Sequence, residues 1–200
     1  MTLRRIVLAT GNAGKLREFS ALLAPAGFAF EPQSAFGIEP PEETGDTFLA
    51  NALLKARYAA RHSGLPAMAD DSGLEVDALG GAPGVHSAYY AGKGATRAER
   101  DPANNAKLLK ALEGVADERR TARFLCVLCI ARPGGTILAE SRGTFDGAIG
   151  HAPRGANGFG YDPLLVLPDG RTSAELSSDE KNARSHRGNA LRLLVPKLRG

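Results

Sequence analysis

Short apolar runs alternate with stretches of helical periodicity along the first part of the chain. Ile6-Val7-Leu8-Ala9 is bounded by Thr10-Gly11-Asn12 and predicts a short buried strand. Leu16, Phe19, Leu22 and Leu23 then recur at three- and four-residue spacing, so the chain passes through TGNAGK into a helix that Pro25 and Gly27 end. Phe28–Phe30 reads as a second strand, followed by a proline-rich loop around Pro40-Pro41. Between Asp46 and His62, the residues Phe48, Ala52, Leu53 and Ala56 fall on one helical face, and Gly64 follows the end. Pro66–Ala69 predicts a third strand that stops at Asp70-Asp71-Ser72-Gly73, before a glycine-rich stretch from Leu79 to Gly84.

The second half changes character. Asn104–Leu112 is a predicted helix with Gly114 as its C-cap, and then two long strands, Thr121–Ala131 and Thr136–Phe145, form a hairpin across Pro133-Gly134-Gly135. Leu164–Leu167 predicts a last strand, closed by the turn Pro168-Asp169-Gly170. Ser177-Ser178-Asp179-Glu180 is a capping box opening a C-terminal helix that Pro196 kinks or ends, with Leu191, Leu194, Val195 and Leu198 along one side. Alternating elements early and paired strands late argue for an α/β fold with a mixed sheet.

Composition narrows the function classes. The 200 residues are 43% hydrophobic and 24% charged, the balance of a globular protein, and no linker splits the chain, so 1–200 reads as a single domain. The 25 basic and 22 acidic residues are interspersed, giving a net charge of +3, which suits a local pocket for a small anion and no nucleic-acid surface. No apolar run approaches the ~20 residues that cross a bilayer, and the first run is too short for a signal segment, so no membrane is expected and the location reads as cytoplasmic. Cys126 and Cys129 lie in the apolar run FLCVLCIA, where residues three apart on a strand point to opposite faces. They read as inert core residues and not as a redox or zinc pair.

Four constellations carry chemistry. Thr10-Gly11-Asn12-Ala13-Gly14-Lys15 joins a strand to a helix, and its glycines, helix N-terminus and lysine suit phosphate, with Lys15 read as a ligand group that adds nothing to stability. The spacing is not that of a P-loop, and a plain strand–helix turn is the alternative. Asp70-Asp71-Ser72-Gly73 offers hard oxygen ligands of the kind Mg²⁺ takes, and Glu42-Glu43 in the loop before the second helix can add another; a solvated turn is the plainer reading of each. Gly155-Ala156-Asn157-Gly158-Phe159-Gly160-Tyr161-Asp162 sets two aromatics among glycines, either as a base-stacking wall or as a loop plugging the core. Lys181 and Ser185-His186-Arg187-Gly188 are donors for phosphate or a purine oxygen, or else a solvated helix face.

Together these segments resemble the inosine triphosphate pyrophosphatase family, which removes aberrant purine nucleoside triphosphates. The matching stretches are LATGNAGKLREF, EETGDTFLANALLKA, ADDSGLEVDALGGAPGV, NNAKLLKAL, GFGYDPL and SHRGNAL, in order from residue 8 to 191. The resemblance implies a two-lobed α/β fold with a long mixed β-sheet, flanking helices and an active site in the cleft between the lobes. It further implies a homodimer that hydrolyses ITP, dITP and XTP to the monophosphate and pyrophosphate with Mg²⁺. On that resemblance Thr10, Gly11, Asn12, Ala13, Gly14 and Lys15 hold the triphosphate, and Asp71 is the general base and, with Glu42, a metal ligand. Ser72 contacts substrate, Phe159, Gly160, Tyr161 and Asp162 enclose base and ribose, and Lys181, His186 and Arg187 complete the pocket. One departure stands out: the family's Ser-Ala-Arg-Tyr is here Ser87-Ala88-Tyr89-Tyr90. Maf-like pyrophosphatases share a similar phosphate loop but not GFGYDP or SHRG. A nucleotide sensor without turnover would gain little from clustered carboxylates.

Overall fold

The computed structural model describes residues 4–23, 27–92, 94 and 96–198, with Arg4 through its backbone alone. Six strands pair in the order β2-β1-β3-β4-β5-β6, where β1 is Arg4–Leu8, β2 Phe28–Pro32, β3 Ala67–Val76, β4 Thr121–Ala131, β5 Ile137–Ile149 and β6 Leu165–Val166. β1 runs parallel to β2, with Ile6 opposite Phe30, and parallel to β3, with Leu8 opposite Met68. β5 and β6 are antiparallel. The expected mixed sheet is therefore present. Helices α1 (Ala13–Leu23), α2 (Phe48–Ser63), α3 (Arg97–Ala111), α4 (Ser178–Arg184) and α5 (His186–Leu194) accompany it.

The chain divides into two compact units, one of Met1–Ser72, Cys126–Gly143 and His186–Gly200, the other of Gly73–Leu125 and Thr144–Ser185. The first has a core of Ile6, Leu8, Phe19, Leu23, Met68, Leu128, Ile130, Leu191 and Leu194. Gly143 lets α5 approach β5 at backbone distance, since a Cβ there would collide with the His186 carbonyl and the Ala190 amide. The second unit packs Leu74, Val76, Leu108, Leu112, Phe124, Phe145, Leu164 and Leu165 around Tyr161.

Several expectations about elements change. β3 does not stop at Ala69 but carries Asp70, Asp71 and Ser72 in its middle, because basic side chains neutralise the carboxylates there. α3 begins at Arg97, well before Asn104: Thr96 and Glu99 form a capping box, and Pro102 is tolerated inside the helix. The C-terminal helix is two helices, broken at Ser185, whose ψ of 159° is extended. α1 ends at Leu23 in the described residues; Pro25, expected to terminate it, lies outside them. β6 is two residues long where four were expected. α2 starts at Phe48, behind the Thr47 cap and two residues after the expected Asp46, and Gly64 closes it with φ 69°.

Candidate active site

In the first unit the turn from β1 into α1 is organised by its own side chains. Thr10 Oγ1 accepts the Asn12 amide at 3.1 Å, and Asn12 Oδ1 accepts the amides of Gly14 at 2.9 Å and Lys15 at 3.3 Å. Asn12 is thus a helix cap, satisfying donors that every helix start leaves open. The sequence reading offered these amides to phosphate; here three of them, at 12, 14 and 15, already have partners. The charge at the turn is supplied by Lys15, whose Nζ lies 2.6 Å from Asp70 Oδ2.

β3 then sorts its acidic pair onto opposite faces, as alternation along a strand requires. Asp70, 1% exposed, meets Lys15 from α1 and the Ser72 hydroxyl at 3.1 Å, two residues along the same face. Asp71, 6% exposed, meets α2: Lys55 Nζ donates to its Oδ1 at 3.0 Å and the Asn51 amide to its Oδ2 at 3.2 Å. Lys55 also binds Glu43 Oε1 at 2.6 Å, and Asn51 Oδ1 accepts the Gly45 amide at 2.7 Å, which ties the loop before α2 to β3. Glu43 is therefore committed to Lys55, while Glu42 is exposed beside it.

Arg187, at the start of α5, completes this group. Its guanidinium lies 2.6 Å from Glu18 Oε2 and donates to Ser72 Oγ at 3.1 Å. Arg187 and His186 are each 3% exposed, which rules out the solvated-face alternative. Burial opposes the ionisation of Asp70, but Lys15, Arg187 and Lys55 together hold its carboxyl below the ordinary carboxylate range. At Asp71 burial outweighs Lys55 and Lys15 and pushes the carboxyl up. Lys55 stays charged: burial disfavours its ammonium, yet Asp71, Asp70 and Glu43 raise it above the usual lysine value. Among the described residues, four carboxylates (Glu18, Glu43, Asp70, Asp71) meet three cations (Lys15, Lys55, Arg187).

The second unit carries the aromatic loop. Asp162 is its hub: Oδ2 accepts the Phe159 amide at 2.8 Å and Lys181 Nζ at 2.5 Å, and Oδ1 accepts the Ser173 hydroxyl at 2.8 Å. A side chain at Gly158 would displace both Asp162 and Lys181. Tyr161 is the core plug of the alternative reading: it is buried, its hydroxyl donates to the Ser87 carbonyl at 2.8 Å, and burial raises its phenol well above the ordinary value. Phe159 is half-buried and can offer a ring face. The unusual Tyr89 is half-exposed under Arg100, 4.9 Å from its ring centroid.

Sequence reasoning placed Thr10–Lys15, Asp71, Ser72 and Arg187 in one motif set, and the structure brings Lys15, Asp70, Ser72 and Arg187 into one connected group. It missed Glu18, Asn51 and Lys55. Asn51 and Lys55 did leave a signal, since both fall in the inward stripe of α2 beside Ala52 and Ala56.

The profile of the Ham1 family matches residues 6–197. A dITP/XTP pyrophosphatase of Thioalkalivibrio sulfidiphilus is 55% identical over 98% of this chain and 99% of its own. One from Methylococcus capsulatus is 53% identical, covering 98% and 96%. Among solved structures, a HAM1 protein from Coxiella burnetii superposes with a TM-score of 0.88 at 47% identity, covering 98% of both chains. The nucleoside-triphosphatase / dITP/XTP pyrophosphatase of Mycobacterium abscessus gives 0.76 at 42% identity, over 94% of this chain and 97% of that one.

Proposed function

The chain belongs to the Ham1 family, and from that premise we propose that it hydrolyses aberrant purine nucleoside triphosphates (ITP, dITP and XTP) to the nucleoside monophosphate and pyrophosphate. The observation that carries the reading is the group on β3, where Asp70 and Asp71 lie buried back to back, one facing Lys15 and the other Lys55. The names of the 55% and 53% identical relatives support the substrate class.

Asp71 is the general base. Its raised pKa makes it a better proton acceptor than an ordinary carboxylate, and Lys55 and Asn51 hold its orientation. It takes a proton from water as the water oxygen attacks the α-phosphorus; the bond from that phosphorus to the bridging oxygen breaks and pyrophosphate leaves. Lys15, with Arg187 and Ser72, neutralises and orients phosphate oxygens through preset electrostatics. Lys15 exchanges Asp70 for phosphate in doing so. In the second unit Phe159 stacks against the base, while Gly160, Tyr161, Asp162 and Lys181 fix its loop, and His186 supports Arg187 at the start of α5.

Magnesium fits these residues. Carboxylates outnumber cations in the group, and Asp71 and the exposed Glu42 offer the hard oxygens such an ion takes. Mg²⁺ takes one or two carboxylates with water and substrate phosphates, so a larger protein cage is not required. Asp71 and Glu42 would hold it; Asp70, on the opposite face of β3, would not. Bound there, it would offset phosphate charge and lower the pKa of coordinated water. The reading extends to a cytoplasmic homodimer, on the strength of the family resemblance. The deciding experiment follows pyrophosphate release from dITP, ITP, XTP, GTP and ATP, with Mg²⁺ and with chelator. We expect rapid release from the first three, little from ATP and none with chelator. Equal rates on all five, or orthophosphate as the product, would refute it.

A further inference from the structure

Phe159 stands between Gly158 and Gly160, whose φ values of 78° and 65° lie in the left-handed region. Glycines on both sides let that backbone turn in ways other residues cannot, so the ring needs outside support to hold one orientation. Asp162 accepts the Phe159 amide and the Lys181 ammonium lies 5.2 Å from the ring centroid; α3 supplies the nearer cation and grips Gly160. Asp101 Oδ2 accepts the Gly160 amide at 2.7 Å, and the Asn105 amide donates to the Gly160 carbonyl at 3.1 Å. The Arg97 guanidinium lies over the Phe159 ring, 4.4 Å from its centroid, and Arg97 Nη1 is 3.8 Å from Asp101. Arg97, Asp101 and Asn105 recur every four residues, so one face of the helix presents a planar cation, an acceptor and a donor to a single loop. The family resemblance assigned none of the three a role.

We propose that Arg97 is a specificity-determining positioning residue, whose guanidinium, steadied by Asp101, fixes the Phe159 ring in the orientation in which a purine stacks on it. The inference rests on the reading above that Phe159 receives the base. A guanidinium suits the task because its plane can lie flat on the ring while its edge reaches a carboxylate; an ammonium brings charge alone. The contribution belongs to base binding and not to the chemical step, because Arg97 touches the ring and not the β3 carboxylates.

The test uses the full chain and the variants Arg97→Ala and Arg97→Lys. Arg97 is 41% exposed at the first turn of a well-capped helix, so neither substitution should change the melting temperature appreciably. In Arg97→Ala, KM for dITP should rise about three- to tenfold, the effect of losing one cation–π contact and one preordered side chain, while kcat stays within about twofold. Inhibition by inorganic tripolyphosphate, which has no base, should be unchanged, and Arg97→Lys should recover part of the lost affinity. Unchanged KM in an active Arg97→Ala, or a parallel weakening of tripolyphosphate inhibition, would overturn the assignment while leaving the proposed activity standing. A wild type that releases no pyrophosphate from dITP would overturn the proposed activity itself, and this inference with it.

Discussion

The two units handle charge differently. In the first, Asp70 and Asp71 sit on a central strand and are held by side chains from α1, α2 and α5, all regular elements. Carboxylates exceed cations there, and one buried oxygen of Asp70 has no hydrogen-bond partner. In the second, Asp162 is matched by Lys181 and Asp101 by Arg97, around an aromatic ring on a glycine-rich loop. A surplus of hard, buried oxygen suits cations and the phosphates they accompany; a balanced group around a ring suits an uncharged base. On the proposed function, the residues of the first unit suit triphosphate chemistry and those of the second suit base selection.

Removing the base tests the first half of that contrast most severely. Asp71→Asn keeps the shape and the hydrogen-bonding capacity toward Lys55 but cannot accept the water proton. It should lower kcat by about two or more orders of magnitude, because on the proposed mechanism a general base and a metal ligand are lost together. Steady-state pyrophosphate release measures it, with the melting curve as a control for folding. A variant with wild-type kcat would move the catalytic role away from β3.

Lys15 comes next. As a phosphate ligand in a loop it would have left stability untouched when removed. The structure revises this, because its ammonium lies 2.6 Å from a carboxylate that is 1% exposed. Stripping a partner from a buried ion pair leaves an uncompensated charge, and Lys15→Ala should cost about 3 kcal/mol as well as raising KM. Chemical denaturation gives the first quantity and a substrate titration the second. A rise in KM with no loss of stability would mean that Arg187 and Lys55 alone suffice to hold Asp70 ionised.

That revision shows where the sequence was legible. Hydrophobic periodicity located the β1–α1 turn, α2 and the β4–β5 hairpin, because each is bounded by turn residues and buries a regular stripe. It failed where charge is buried. β3 was cut at Ala69 because two aspartates do not look like the interior of a strand, and the lysines that permit it are distant in sequence. α3 was cut short because Pro102 masks a helix held at its start by the Thr96–Glu99 box. Within the site, the motif segments were readable as glycines beside charged groups. Lys55 was missed although a lysine in the apolar stripe of α2 is itself a sign that an acid waits opposite. Glu18 offered no such sign: it sits one turn beyond Lys15, where a charged residue is ordinary.

A smaller effect separates the charged group from its neutral surroundings. Cys126 and Cys129 are both buried and unbridged. Burial pushes Cys126 up, and Cys129 up to about 12, so neither forms a thiolate near neutrality. Replacing both by Ala should leave kcat and KM unchanged and cost about 1 kcal/mol each through the cavity left behind. Reductant should not alter the wild-type rate. Loss of activity on mild oxidation, reversed by reductant, would show that one of these thiols matters to the site.

The smallest effect concerns charge that is not buried at all. In the second unit Asp169 lies at the surface between Arg184, at 3.0 Å, and Arg171, at 3.1 Å, and these hold its carboxyl at about 2. An acid whose pKa is lowered by folding stabilises the folded state above its unfolded value, near 4, and that stabilisation fades as pH falls toward 2. Asp169→Asn lacks it at every pH. Wild type and variant should therefore differ slightly in melting temperature between pH 5 and 7 and converge as pH approaches 2. The gap should be small, because exposed ion pairs are screened by solvent and salt, and adding salt at pH 6 should shrink it further. Asp70 is also held low by cations, but it is buried, so the loss of stability caused by Lys15→Ala should survive the same salt. A salt-insensitive gap at Asp169, or one as wide at pH 2 as at pH 6, would erase the distinction between a buried charge network and an exposed one.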